Sequence, residues 1–335
     1  MNIIVDIMGG DRPEEVVRGA IAAAKEHKNY RIIAVGDEAL IKKVMTEEKA
    51  DGILDVEHAS DIILNEDVPT TAIKSKKDSS MVKGLSFLRG SEDNIGIIST
   101  GSTGALLTGA TLFVGRIQGV YRPALVPLMP TINGSYVALA DSGANVDSRP
   151  EYLLQFAIMA SYYHKAVVGT ENPRVALLNV GTEDKKGNAL TQEAFALLKA
   201  AKNINFVGNM EARDANTGNY DVIIADGFAG NILVKSIEGT SMLMGKLLKD
   251  NIMSSKMAKF GYIFAKKAID GLKGYMDYNN YGGAIFLGVK KIVVKAHGGT
   301  KAGSIYHSVK QVIKMHEADT LTMIEKGILE AGAIE

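Results

Sequence analysis

Five stretches of the chain combine glycine with short polar or acidic side chains. They are Gly9-Gly10-Asp11, Ser99-Thr100-Gly101-Ser102-Thr103-Gly104, Gly143-Ala144-Asn145-Val146-Asp147, Gly181-Thr182-Glu183 and Gly227-Phe228-Ala229-Gly230-Asn231. A glycine turn between a strand and a helix presents backbone N–H groups that converge on an anion, and the helix dipole adds to them. The same pattern also serves as a tight turn that packs a helix on a sheet, so each turn taken alone leaves both readings open. Several around one crevice would make a pocket lined by amides and short polar groups. Basic residues near these turns are few: Lys185 and Lys186 after NVGTED, Lys235 one helical turn after GFAGN, and Lys295 with His297 in KAHGG. A lysine there suits a point charge on phosphate or on a developing oxyanion. The competing reading is a solvated loop for Lys185 and Lys186, and a hydrogen-bonded structural ring for His297.

Several chemistries are excluded by pattern. STGSTGALLTGA lacks the GKS or GKT ending of a nucleotide-hydrolysing loop and the GxGxxG of a dinucleotide turn. There is no GxSxG elbow, and six histidines without HExxH or paired spacing form no zinc signature. The absence of cysteine removes disulfides, thiolate sites and any acyl-cysteine intermediate. The carboxylates Asp6, Asp11, Asp141, Asp147 and Asp226 are the beginnings of a magnesium site, but they equally cap helices and hold turns. Neither a metal nor a cofactor is expected.

These turns need a scaffold, and the pattern supplies one. Short Ile/Val-rich runs alternate with longer amphipathic stretches, the signature of βαβ units and a mostly parallel sheet. Strands are expected at 2–7, 31–36, 53–59, 94–100, 174–181, 203–209, 220–226 and 290–296. Helices are expected at 13–27, 37–49, 78–90, 102–116, 150–166, 188–201 and 300–330, with Pro13 and Pro150 in first-turn positions. In such sheets the carboxyl ends of the strands form the ligand crevice, which is where the glycine turns fall.

Two regions break the alternation. PALVPLMPTINGSYVALADSG holds two apolar runs around Asn133-Gly134, a hairpin signal, and its prolines place the antiparallel arm at an edge. From 240 to 276 the apolar residues Met244, Leu248, Ile252, Met257, Phe260 and Phe264 recur near helical spacing, with seven lysines against Asp250 and Asp270. Such a segment suits an anionic membrane surface, a dimer interface, or a solvated helix packed on the core.

The bulk numbers agree with a globular enzyme-sized chain. The 335 residues are 46% apolar, and 38 basic residues balance 38 acidic ones, which gives no sign of a nucleic-acid binder. MNIIVDIMGGDRP has no basic region before its apolar part and carries Asp6 within it, so it reads as a buried first strand and not as a signal peptide. No uncharged apolar run approaches the roughly 18 residues that a bilayer span needs.

With these pieces in order, the chain resembles the PlsX family, bacterial enzymes that transfer an acyl group from acyl carrier protein to phosphate. The resemblance rests on VDIMGGD, KSKKDSSM, STGSTGALLTGA, GRIQGVYRPAL, GANVDSRPEYLLQFAIMA, LLNVGTEDKKGN, GNMEARD, DGFAGNILVKSIEG, NNYGGAIFLG and KAHGG, running from residue 5 to about 300. It implies an α/β fold like that of isocitrate and isopropylmalate dehydrogenases and of phosphotransacetylases, a two-lobed αβα sandwich forming one catalytic domain over 1–335. It also implies a homodimer on the cytoplasmic face of the membrane, bound through a helical tip that matches 240–276. The partners would be acyl carrier protein, inorganic phosphate, the anionic membrane surface and a downstream glycerol-3-phosphate acyltransferase. Departures from the family pattern are Arg12 where histidine is usual, Ser102 where asparagine is usual, and KAHGG for KAHGS.

On this resemblance Lys185, His297 and Asn231 are the expected catalytic groups. Lys185 would stabilise the oxyanion or orient phosphate, and His297 would protonate the leaving sulfur. Phosphate or acyl-pantetheine would lie against Asp6, Gly9, Gly10, Asp11 and Arg12, and against Ser99, Gly101, Ser102, Thr103 and Gly104. Asn145, Asp147, Asn179, Gly181, Glu183 and Lys186 would complete the binding set with Asp226, Gly227, Lys235 and Lys295. Phosphate is already a good nucleophile and a thiolate a good leaving group, so the task is positioning and charge management without an acyl-enzyme. A phosphotransacetylase-like enzyme using acyl-coenzyme A is the nearest alternative, with a dehydrogenase and a membrane scaffold further off.

Overall fold

The computed structural model describes residues 1–276 and 282–332. Asn279, Asn280 and Tyr281, the start of the NNYGGAIFLG piece, lie outside the described residues. The chain forms two mixed sheets, not one. The first contains β1 (Asn2–Asp6), β2 (Arg31–Gly36), β3 (Asp55–His58), β4 (Asn94–Ser99), β5 (Ala124–Val126), β11 (Ala284–Leu287) and β12 (Ile292–Lys295). Their order is β3-β2-β1-β4-β12-β11-β5, with the first five parallel and β11 antiparallel to both of its neighbours. The second sheet contains β6 (Leu128–Pro130), β7 (Tyr136–Ala140), β8 (Arg174–Asn179), β9 (Asn205–Glu211) and β10 (Val222–Ile224), in the order β6-β7-β10-β8-β9.

Central strands such as β1, with four successive buried residues, are apolar on both faces because helices cover both sides. Helices α1 (Pro13–Glu26), α2 (Glu38–Glu47), α3 (Pro69–Ser75), α4 (Ser80–Gly90) and α5 (Thr103–Gly109) follow strands of the first sheet or connect them. Helix α6 (Pro150–Val168) buries Leu153, Phe156, Ala157, Ala160 and Tyr163 at three- and four-residue spacing. It packs on β7, β10, α7 (Ala189–Ala200), α10 (Ala302–Glu317) and α11 (Thr320–Gly332), which makes it the centre of the largest apolar cluster. Each fully buried Leu, Ile or Phe there contributes about 1.5–3 kcal/mol.

Several elements differ from expectation. The helix expected over 300–330 is two, because Asp319 takes a left-handed φ of 48° between α10 and α11, a conformation aspartate tolerates. Its carboxylate then accepts the Thr322 hydroxyl at 2.8 Å. The helix expected over 102–116 is α5 followed by a π-helical turn at Ala110–Val114, stopped by Gly115 at φ 86°. The hairpin around Asn133-Gly134 exists, with β6 antiparallel to β7, but it is no free arm. Strand β7 also pairs with β10 and is buried along most of its length, so only β6 lies at the edge. The segment 240–276 is the second half of α8 (Gly227–Ser254) followed by α9 (Lys256–Met276), broken at Ser255. Helix α3 and strands β5 and β11 had no separate signal, being short and flanked by other apolar runs.

Candidate active site

The carboxyl ends of β1, β4 and β12 meet because these strands are neighbours in the first sheet. Asp6 and Lys295 both stand opposite Ser99 in register, so the three side chains share one rung and one face. The Ser99 hydroxyl donates to Asp6 Oδ2 at 2.6 Å, and the Met8 N–H donates to Asp6 Oδ1 at 3.3 Å. Full burial pushes the Asp6 carboxyl above the ordinary aspartate range, while hydrogen bonds from Ser80 and Ser99 oppose the shift. Lys295 Nζ donates to the carbonyls of Thr100, at 3.4 Å, and Ala296. Burial holds this lysine down to about 8, with the attraction of Asp6 working against it.

The three loops beyond these strands are in close contact. A Cβ on Gly9 would stand 2.5 Å from Gly101 Cα, so glycine is required for the two turns to approach. The Asp11 N–H donates to the Gly298 carbonyl at 2.9 Å, which ties the first turn to the third. The His297 ring accepts the Gly299 N–H on Nδ1 at 3.2 Å, which leaves the proton of the neutral ring on Nε2. Burial, with Lys295 and Lys235 behind it, pushes His297 below the usual histidine value, so the neutral form predominates near pH 7. The buried hydroxyls of Thr100 and Thr300 have no hydrogen-bond partner among the described residues.

The facing wall comes from the second sheet. At the end of β7 the buried Asp141 carboxylate accepts four backbone N–H groups, from Leu125, Gly143, Ala144 and Asn145 at 2.7–3.2 Å, and the Asn145 amide at 2.9 Å. That set shapes the GAN turn, and burial still raises the carboxyl above its ordinary range. The first turn of α8 lies directly on it. Gly227 N–H donates to the Asn145 carbonyl at 2.8 Å, and a Cβ on Gly230 would fall 1.9 Å from the Asp141 carbonyl. Asp226 caps α8 by accepting the Ala229 N–H at 2.8 Å.

Between the walls lies a cavity of about 1140 Å³. Of the residues singled out in the sequence, Thr103, Asn231, Lys235, Lys295, His297 and Met244 line it. Lys235 also pairs with Glu238 at 2.7 Å on the same helix. Asp6, Gly9, Gly10, Asp11, Ser99 and Gly101 build the loops behind the lining. Asn145 spends its amide on Asp141 and on the Pro123 carbonyl, and Asp226 its carboxylate on the α8 cap, so both position backbone. Ser102 and Arg12 stand at the N-caps of α5 and α1 without a side-chain capping bond, and Gly104 lies in the first turn of α5.

The lysine loop lies elsewhere. Asn179, Gly181, Glu183, Lys185 and Lys186 follow β8, beside β10 in the second sheet, but are not among the residues lining the cavity. Lys185 is exposed, and its carbonyl accepts the Gln192 amide at 3.0 Å. Asn179 clamps the loop by donating to the Lys186 carbonyl and Asn209 Oδ1, both at 3.1 Å. Asp147 is exposed and is not among the residues lining the cavity. Gly143, named in its turn, also lines the cavity, and residues missed from sequence are Ser142, Arg213 and Asn216, which line it, and the unpartnered Thr300. Arg213 lies in GNMEARD, a family piece that carried no assigned role.

Among the described residues no helix is long and apolar enough to cross a membrane, and no cluster of His, Asp and Glu is grouped to hold a metal ion. Met257, Phe260 and Phe264 of α9 are 83%, 64% and 78% exposed, with the two phenylalanine rings in edge contact.

A family model described as fatty acid synthesis protein matches residues 1–323. A phosphate acyltransferase from Geobacillus thermodenitrificans is 46% identical, over 97% of this chain and 98% of its own. One from Clostridium perfringens is 45% identical, over 98% and 97%. Among solved structures, a phosphotransacetylase from Streptococcus pyogenes superposes with a TM-score of 0.60 at 18% identity, covering 95% of this chain and 94% of its own. A branched-chain phosphotransacylase from Enterococcus faecalis gives 0.57 at 15% identity, covering 93% and 98%. At such identities the two structures bear on the fold alone.

Proposed function

The chain belongs to the fatty acid synthesis protein family, the PlsX family of phosphate acyltransferases, and from that premise we propose how its crevice carries out the reaction. The protein is an acyltransferase that moves an acyl group onto phosphate in phospholipid synthesis. The donor is the phosphopantetheine thioester of acyl carrier protein, and the product is an acyl phosphate for a glycerol-3-phosphate acyltransferase downstream. The observation that carries the site assignment is the rung Asp6, Ser99, Lys295, which sets a half-buried cation beside glycine turns and two unpartnered hydroxyls.

Phosphate binds among the turns at Gly9–Asp11 and Ser99–Gly104, held by backbone N–H groups, Thr100 and Thr300, with Lys295 and Lys235 supplying charge. A phosphate oxygen attacks the thioester carbonyl carbon. The carbonyl π electrons move to oxygen, and the oxyanion is stabilised by the lysine charges. Collapse breaks the C–S bond, and the leaving thiolate takes a proton from the imidazolium form of His297, which returns to the neutral ring and is recharged by the proton that the phosphate group gives up on acylation. Asn231, at the first turn of α8, orients the thioester. Lys185, in the loop after β8, adds positive charge, and Arg12 grips phosphate where relatives usually carry histidine. No acyl-enzyme forms, and isotope exchange between acyl carrier protein and its thioester without phosphate would count against this.

The remaining parts of the reading are a single catalytic domain over 1–335 of the dehydrogenase-like two-lobed type, a homodimer, and peripheral attachment to the cytoplasmic membrane face through the α8–α9 tip. The exposed apolar residues and lysines of α9 support the attachment. Use of acyl-coenzyme A, a thioester of the same phosphopantetheine arm, is the second reading. Offering long-chain acyl carrier protein, or the matching coenzyme A thioester, with inorganic phosphate decides between them. Acyl phosphate formed faster from the carrier-protein donor is the expected result, and the reverse preference sinks that choice of donor.

A further inference from the structure

The cavity has a second limb that phosphate and the reacting carbonyl leave without an occupant. Besides Lys295 and His297 its lining includes the apolar Leu125, Leu128 and Met129 of β5 and β6 and Leu233, Ile237 and Met244 of α8, interspersed with polar residues such as Lys235, Glu238 and Ser241. Along α8 most residues from Leu233 to Gly245 line the cavity, and among them Leu233, Ile237, Ser241 and Gly245 form a stripe at four-residue spacing that follows its length. At about 1.5 Å per residue the stripe runs roughly 21 Å from Asn231 to Gly245. An extended alkyl chain advances about 1.25 Å per methylene, from bonds near 1.5 Å at near-tetrahedral angles, so the limb accommodates about 16 carbons. The whole cavity, at about 1140 Å³, has room for that chain and for the polar end together.

We propose that this limb holds the fatty acyl chain of the donor, with its carbonyl at the Lys295–His297 end and its terminal methyl towards Gly245. The space above Gly245 sets the longest chain accepted. The proposal rests on the acyl-transfer reading above. Its chemistry is hydrophobic burial along a groove whose distal floor is made of the small residues Ser241 and Gly245.

Gly245 offers a clean test, because a Cβ built there meets no atom within 4 Å, and glycine is the least favourable helix residue after proline. Gly245→Trp therefore fills the distal limb without disturbing the fold. Gly239→Trp is the control: it is equally open, on the same helix, and outside the cavity lining. In lipid-free solution, acyl phosphate formation is measured with octanoyl and hexadecanoyl donors. The ratio of hexadecanoyl to octanoyl transfer is expected to fall roughly tenfold or more in Gly245→Trp and to keep its wild-type value in Gly239→Trp. An unchanged ratio in Gly245→Trp, with an active wild type, overturns the acyl limb alone. A wild type that forms no acyl phosphate from either donor overturns the acyl-transfer reading and this proposal with it.

Discussion

The Ser99 hydroxyl donates to the buried Asp6 carboxylate at 2.6 Å and accepts the Gly101 N–H at 3.1 Å, so one oxygen ties the end of β1 to the turn after β4. Ser99→Ala removes both bonds and leaves a buried carboxylate short of a donor. The expected cost is about 1–3 kcal/mol of stability, together with a raised KM for phosphate. Thermal unfolding and phosphate titration check this, and a variant matching wild type in both would show that the tie has no role.

Lys295 gives the reaction a pH limit. Burial lowers it to about 8, so it is an ammonium below that value and loses its charge as pH rises through it. Its hold on phosphate is present on the acid side and lost on the alkaline side. The alkaline limb of kcat/KM for phosphate is expected near that value in the wild type. In Lys295→Arg, which stays charged, it moves higher. Superimposable profiles would remove Lys295 from phosphate binding.

Lys185 is exposed and outside the cavity lining, which makes its proposed role open to a sharp test. Lys185→Ala is expected to lower the rate at least about tenfold with unchanged thermal unfolding, the loss typical of a contact made in the transition state. Lys295→Ala is expected to cost more. A wild-type rate in Lys185→Ala leaves the oxyanion to Lys295 and Lys235.

The apolar tip has its own assay. Phe260 and Phe264 touch edge to face on an exposed helix that also carries lysines. Replacing both with glutamate is expected to abolish flotation with anionic vesicles while leaving acyl phosphate formation in lipid-free solution intact. Flotation equal to wild type would assign these side chains to another role.

Much of the scaffold was legible in the chain. Runs such as NIIVD and NIGII are β-branched and uniformly apolar because parallel strands are covered on both faces, and proline at positions 13 and 150 marks helix starts by the same local rule. The break at Asp319 and the start of α8 at Gly227 were not, because each depends on what packs against it. The crevice residues were legible as types, but not which of them line the cavity: Lys295 and Lys235 do, and Lys185 does not. A lysine after a glycine turn looks alike in sequence whether it lies in the cavity or on the rim.

The sequence by itself determined the strand-end turns, the absence of thiol chemistry and, through the order of its motifs, the family. The tertiary structure alone decided that Asp6, Ser99 and Lys295 share one rung. That adjacency is set by which strands lie next to each other after long crossovers, and no local pattern encodes it. It also decided that burial depresses the Lys295 pKa, since desolvation depends on the assembled neighbours around a side chain and not on the residues beside it in the chain.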